Sequence, residues 1–402
     1  MVEILLEKTK ITNMSSQNFT VAPPRIVDRH VRETLFCGPG PANMWPSVNE
    51  AITRDLICNM CDEFFNVMDD IRAGIQYLFQ TQRKLVLAMS GSGHSGMEAV
   101  ICNLVAPGET LLIAKRGMWD LRADIIARRY GIKTVVEEIP VTETFSFDHL
   151  ESMIKKVRPT ALFITHGDSS TGSVQKIEGL GQICHKYGVL LLVDTVVSIA
   201  AEPFFMDAWE VDAVYSSPQK AMSGPAGISP VAFSALAENK INNRKHEPPF
   251  YFDIKELALQ WNCYENARKY HHTVSTPMLW ALRCCLQEIA KETLQKSWER
   301  HAAVNKYFNQ RLGELPVTFL IANPEDRLST VTTISLPKGY EYLEVIKYMR
   351  EKHDILIFGG MGPTAGKILR IGVMGVNSSV QIADRLVAAL ADTLKGLKKS
   401  SL

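Results

Sequence analysis

The 402-residue chain sets 44 Lys and Arg against 43 Asp and Glu, a net charge of +1, and is 46% hydrophobic. That balance builds a large buried core and excludes a chain dominated by nucleic-acid or anionic-membrane electrostatics. No apolar run approaches the ~20 residues that span a bilayer, and Cys58-Asn-Met-Cys61 lacks the second pair a zinc site needs, so the eight cysteines read as reduced thiols.

The opening MVEILLEKTK carries Glu3 and Glu7 and no small-residue cleavage site, which argues against a secretory signal. Residues 1–36, including VAPPR, read as an irregular arm. A large domain over 37–292 begins at FCGPGPANMWP. From there β-branched, apolar runs at LVLAM, TLLIA, ALFITH, VLLLVD and VDAVYS alternate with helical segments such as Met118 to Tyr130 and Gly179 to Tyr187. This alternation predicts an α/β fold with a mainly parallel, seven-stranded type of sheet and helices on both faces. Past Lys240 a polar, aromatic stretch, NNRKHEPPFYFDIK, leads through YHHT to helical sequence from Thr276 to Leu312. The last part, 293–402, reads as a smaller α+β domain. It offers VTTISL, a helix over Tyr340 to Lys352, ILIFGG, LRIGVM and an amphipathic final helix. The ending Ser400-Ser401-Leu402 differs by one residue from the S-K-L peroxisomal address, so a peroxisomal location is the expectation, with cytoplasm or mitochondrion as alternatives.

Chemistry concentrates at the carboxyl ends of the strand-like runs. Gly91-Ser92-Gly93-His94-Ser95-Gly96 follows LVLAM and opens a helix, a place where free N–H groups and the helix dipole receive a phosphate. The pattern alone fits a dinucleotide as well as a single phosphate, and Lys115-Arg116 after TLLIA keeps an NADP-dependent reading open. The strand VLLLVD ends in Asp194, and one strand further on VDAVYS runs into Ser216-Ser217-Pro218-Gln219-Lys220. An acid and an amine converging beside an anion site is what pyridoxal phosphate requires. The lysine condenses with the aldehyde, the acid keeps the ring nitrogen protonated, and the helix end takes the phosphate. Trp119 in GMWD could stack on an aromatic ring, and Ser169 and Ser170 offer hydroxyls at the same edge. Arg370, in LRIGVM, suits a substrate carboxylate. His271 and His272 lack a third partner at metal-ligand spacing, so no metal is expected.

With these residues in view, the chain resembles the class V pyridoxal phosphate aminotransferases of the alanine:glyoxylate (serine:pyruvate) type. The matching stretches are GPGPAN at 38–43, SGSGH at 90–94, THGDSSTG at 165–172, LLLVDTV at 190–196, QK at 219–220, YHHT at 270–273, TVTTI at 330–334 and LRIG at 369–372. The resemblance implies fold type I, a homodimer with shared active sites, and Lys220 as the lysine that bonds the cofactor. It implies cofactor contacts from Ser92, Gly93, His94, Trp119, Ser169, Asp194, Val196 and Gln219. Tyr270 and Thr273 would reach the phosphate of the other subunit's site. Arg370, Gly40, Ser198 and Asn59 would face substrate.

The implied reaction is a ping-pong transfer of the amino group of alanine or serine to glyoxylate, giving glycine and pyruvate or hydroxypyruvate. Two departures bear on it. YSSPQK stands where relatives usually carry Gly-Ser before Gln-Lys, so Pro218 removes a backbone donor near the lysine. Insect 3-hydroxykynurenine transaminases of the same type resemble the chain at Asn59, whereas Gly93, Thr171 and Thr333 resemble the alanine:glyoxylate branch, the branch preferred here. Rival readings are an NADP-dependent oxidoreductase and a binding protein that kept the fold without activity.

Overall fold

Short β-branched and apolar runs, too brief for helices and bounded by turn residues, become strands, all but the edge strand Lys133–Glu138 largely buried. In chain order they are β1 (Val86–Ser90), β2 (Thr110–Lys115), β3 (Lys133–Glu138), β4 (Ala161–Thr165), β5 (Leu190–Asp194), β6 (Ala213–Tyr215) and β7 (Ile228–Phe233). In the computed structural model, which describes residues 21–265 and 268–400, they form one seven-stranded sheet in the order β1-β7-β6-β5-β4-β2-β3. Only β7 runs antiparallel to its neighbours. Residues 1–20 of the arm, and the final Ser401-Leu402 of the C-terminal tripeptide, lie outside the described residues.

Register aligns the strand ends. Thr165 pairs with Asp194, and Asp194 with Tyr215, so three neighbouring strands finish at one level. Ser90 ends β1 opposite Ile228 of β7. Helices from the crossovers cover the sheet: α1 (Gly93–Leu104) and α2 (Met118–Arg129) follow β1 and β2 directly. The stretch between Asp194 and β6 is a run of turns. Pro203 and the left-handed Ala200 (φ 64°) and Glu210 (φ 54°) interrupt any helix there.

The helical sequence from Thr276 to Leu312 divides into α3 (Thr276–Glu292) and α4 (Leu294–Leu312) at Thr293, whose φ of 75° breaks the first helix while its hydroxyl caps the second. Helix α4 then packs with α5 (Tyr342–His353) and α6 (Val380–Ser400) on a four-stranded antiparallel sheet. Its strands are β8 (Thr318–Phe319), β9 (Val331–Ser335), β10 (Phe358–Gly359) and β11 (Leu369–Gly372), in the order β8-β9-β11-β10. Leu35–Phe36 adds a parallel pair with Ile355–Leu356, and Thr34–Leu402 form one compact unit. Among the described residues no helix is long and apolar enough to cross a membrane.

Candidate active site

The aligned carboxyl ends of the parallel strands enclose a cavity of about 500 Å³, its open mouth included, lined by Ser92, Gly93, His94, Trp119, Ser169, Asp194, Val196, Gln219 and Lys220. Nine of the residues singled out from sequence therefore meet in one place. Met97, Gly167, Val197 and Tyr215 complete the wall and carried no chemical signal of their own. Tyr215 was legible in one respect, since it ends the strand beside Asp194.

The floor is set by α1. Ser92 caps this helix without a side-chain hydrogen bond, and a helix's first N–H groups have no intrahelical partner. The turn is narrow: a Cβ on Gly93 would sit 3.2 Å from Val196 Cγ2 and 3.3 Å from Ser217 Cβ. His94 Nε2 is buried without a partner, and its ring stands edge-on to Trp119 at 6.0 Å. Burial, with Arg122 adding to it, pushes the His94 imidazole toward its neutral form.

Asp194 receives the Tyr215 hydroxyl at 2.5 Å and the Val196 N–H at 2.7 Å. Burial outweighs these bonds and lifts its carboxyl to about 7. Lys220 is 8% exposed, and its Nζ donates to the Pro39 carbonyl at 2.6 Å. Burial first and Arg370 second lower its amine to about 8, against the opposing charge of Asp194. Gly40, at φ 107°, abuts this amine so closely that a Cβ there would overlap the Lys220 Cδ and Nζ. The Pro218 loop is well tied despite its missing donor. Gly224 N donates to Pro218 O at 2.9 Å, Ala42 N to Gln219 O at 2.8 Å, and Ser217 Oγ to the Gln219 side chain.

The opposite wall rests on Asp168, whose Oδ1 accepts from the Ser170 N and Oγ. Ser170 Oγ in turn receives Met118 N at 3.0 Å, and Ser169 Oγ receives Trp119 Nε1 at 2.8 Å. Across the boundary with the smaller sheet, Arg370 Nη1 donates to Ser169 O at 3.2 Å and Nε to Gly359 O at 2.7 Å. Buried Arg116, bonded to Ser173 and to the Thr165 and His166 carbonyls, braces this wall from behind. Because Lys115 is paired with Glu138 at 2.8 Å, neither cation of the Lys115-Arg116 pair is free for a ribose phosphate, which removes the ground for the NADP reading.

Six of the candidate cofactor and substrate residues do not line the cavity: Gly40 and Arg370, which stand against Lys220 and Ser169, and Ser198, Tyr270, Thr273 and Asn59. Ser198 is fully buried behind Val197 with an unpartnered hydroxyl. Tyr270 is half exposed, its hydroxyl 2.6 Å from Thr273 Oγ1, and Asn59 accepts from Val274 N at 3.0 Å. Tyr270, Thr273 and Asn59 thus form a cluster at the surface. His271 and His272 bond each other, with Ser90 and the Phe250 carbonyl at the two ends.

A seven-stranded sheet with one reversed strand, a second antiparallel sheet, and a buried lysine facing a carboxylate at the carboxyl edge define the fold type I architecture of pyridoxal-phosphate-dependent enzymes. The chain belongs to the aminotransferase class-V family, whose model matches residues 48–382, and it is an aminotransferase. It is 38% identical to an alanine–glyoxylate aminotransferase of Rattus norvegicus, over 98% of this chain and 95% of that protein. It is 37% identical to one of Drosophila melanogaster, over 94% of this chain and 97% of the relative. A solved structure described as alanine–glyoxylate aminotransferase from Nostoc sp. superimposes with a TM-score of 0.88 at 35% identity, covering 96% of this chain and all of that one.

Proposed function

We propose that this transaminase binds pyridoxal 5′-phosphate and moves the amino group of alanine or serine to glyoxylate, giving glycine and pyruvate or hydroxypyruvate. The observation that carries the reading is Lys220 and Asp194 facing one cavity, the amine lowered to about 8 and the acid raised to about 7. The residues fit the cofactor: the uncapped start of α1 suits a phosphate, Trp119 offers a ring face, and the unpartnered His94 Nε2 has a polar atom to satisfy. When bound, pyridoxal phosphate supplies an aldehyde for amines and an electron-accepting ring.

The chain's own groups divide the remaining work. Asp194 would hold a proton at the ring nitrogen. Lys220 would take the proton from the donor's Cα, a task suited to an amine that is largely neutral just above pH 8. Arg370, with Nε and Nη1 donating to carbonyls, would have Nη2 left for the donor's carboxylate. The burial of Lys220, Asp194 and Arg370 excludes water from all three charges.

Tyr270, Thr273 and Asn59 support a homodimer as the working form, because they stand outside their own chain's cavity on a surface that also exposes Leu56, Met60, Phe250 and Tyr251. One set of assays tests the reading. The purified protein is yellow and bleaches with borohydride, and glyoxylate-dependent turnover is highest with alanine or serine as donor. Faster turnover with 3-hydroxykynurenine moves the chain to the other branch, and a colourless protein unaffected by added cofactor rejects the reading.

A further inference from the structure

Beside the cavity, but outside it, runs a chain of hydrogen bonds whose direction is fixed. His271 Nε2 lies 2.9 Å from the Phe250 carbonyl, which can only accept, so that nitrogen carries the proton. In the neutral ring His271 Nδ1 is then an acceptor, and the His272 Nδ1 at 2.8 Å must donate to it. His272 Nε2 is left to accept from Ser90 Oγ at 2.7 Å. Every donor and acceptor between Ser90 and Phe250 is thereby assigned: Ser90 to His272, His272 to His271, His271 to Phe250.

One end of this relay adjoins the turn that opens α1 and the other holds the far end of the same helix. Ser90 ends β1 immediately before Gly91-Ser92, and Phe250 belongs to a short turn whose Phe252 carbonyl is gripped by Asn103 of α1 at 2.7 Å. The middle of the relay is the backbone of Tyr270–Thr273, which Gln260 holds through His272 O at 2.7 Å and Asn59 through Val274 N at 3.0 Å. The Phe250 ring, 64% exposed, stacks on His271 at 4.4 Å and 15°. One set of side chains therefore fixes the turn that faces the chain's own cavity and the segment that stands at its surface.

We propose that His272, acting through Ser90 and His271, is a positioning residue that locks the Ser90–Ser92 turn of one subunit to the Tyr270–Thr273 segment it presents to the other, so that its loss loosens both cofactors of a dimer. The inference rests on the proposed cofactor and dimer. In the holoenzyme, His272→Phe and Ser90→Ala each speed loss of cofactor roughly tenfold, about the worth of one buried hydrogen bond. The double variant is no worse than either single one, because both cut the same chain. His272→Gln keeps an acceptor for Ser90 and a donor for His271, and restores most of the retention.

Mixed dimers separate the two arms. Pairing a Lys220→Ala subunit with an intact one leaves a single cavity with the visible absorbance of lysine-bound cofactor, and His272→Phe on either subunit speeds its decay. A response only when the substitution shares a chain with the working Lys220 overturns the coupling, and additive losses in the double variant overturn the relay. Histidine ¹⁵N resonances give a readout independent of cofactor: the assignment requires Nε2–H on His271 and Nδ1–H on His272, and the opposite tautomers overturn it. If wild type is colourless or monomeric, the functional reading has failed instead.

Discussion

The two edges of the main sheet treat charge in opposite ways. At the carboxyl edge, Lys220 is pushed down to about 8 and Asp194 up to about 7, each driven by burial away from its charged form. At the amino edge, His185 bridges two carboxylates, Glu210 Oε2 at 2.8 Å and Asp212 Oδ2 at 2.9 Å, and is held toward its charged form chiefly by its bond to Asp212. Asp212 is itself satisfied by Leu191 N and the Ser234 hydroxyl. One edge keeps ionisable groups in a costly state where a reaction can use them; the other pairs its charges for stability alone.

Removing a cavity charge should therefore cost activity and not stability. Lys220→Met, which keeps most of the side-chain volume, is expected to lower turnover on the order of 10⁴-fold, the upper range for a single proton-transfer group. The same change should stabilise the cofactor-free protein. The amine titrates near 8 when folded and at 10.5 when free. The folded state thus resists the bound proton, and its penalty is fully present below about pH 8 and fades as pH rises toward 10.5. Urea unfolding at pH 7 should show a gain of at most about 3 kcal/mol, shrinking by pH 10. A variant that is inactive and also less stable at pH 7 would break the contrast between the edges.

Asp194→Asn comes next. It preserves shape and the bond from Tyr215 but removes the charge that would face a ring nitrogen, and kcat should fall about 10²- to 10³-fold, as for loss of one preorganised electrostatic partner. Gly40→Ala tests the same edge sterically. The φ of 107° and the overlap with Lys220 should lower stability by about 1–3 kcal/mol and disturb the lysine. Thermal unfolding and the visible spectrum of the holoenzyme report the two effects separately.

How much of this was legible in sequence follows from where each residue's signal lies. Asp194, Lys220 and the Ser92–His94 turn could be read because each sits at the end of a strand, and the parallel register brings strand ends together. Ser169 and Trp119 were legible for the same reason. The bracing set behind them, Arg116 with Asp120 and Asp168, was not, because its meaning depends on burial and on contacts across three strands: Asp120 takes the Thr165 hydroxyl, and Asp168 takes Ser170. Arg116 even pointed the wrong way, offering itself to a ribose phosphate. The turns at 195–212 were not legible either, because an interval's length says nothing of left-handed residues within it. Tyr270 and Asn59 were assigned through family resemblance alone, since in a single chain both stand outside the cavity.

The smallest expected effect belongs to the amino edge. A histidine bonded to two carboxylates has a folded pKa above its unfolded value, so its contribution is complete below about pH 6.5 and disappears as pH rises through the raised folded value. His185→Gln should cost under about 1 kcal/mol, because both the ring and Glu210 are partly exposed and screened by solvent. The cost should be larger at pH 5.5 than at pH 9, read from denaturation midpoints, while turnover stays at the wild-type level throughout. If the loss were equal at both pH values, the cluster would be working through packing and hydrogen bonds that do not depend on a charged imidazole. If turnover fell with stability unchanged, the amino edge would have a part in the reaction, and the division of labour between the edges would be wrong.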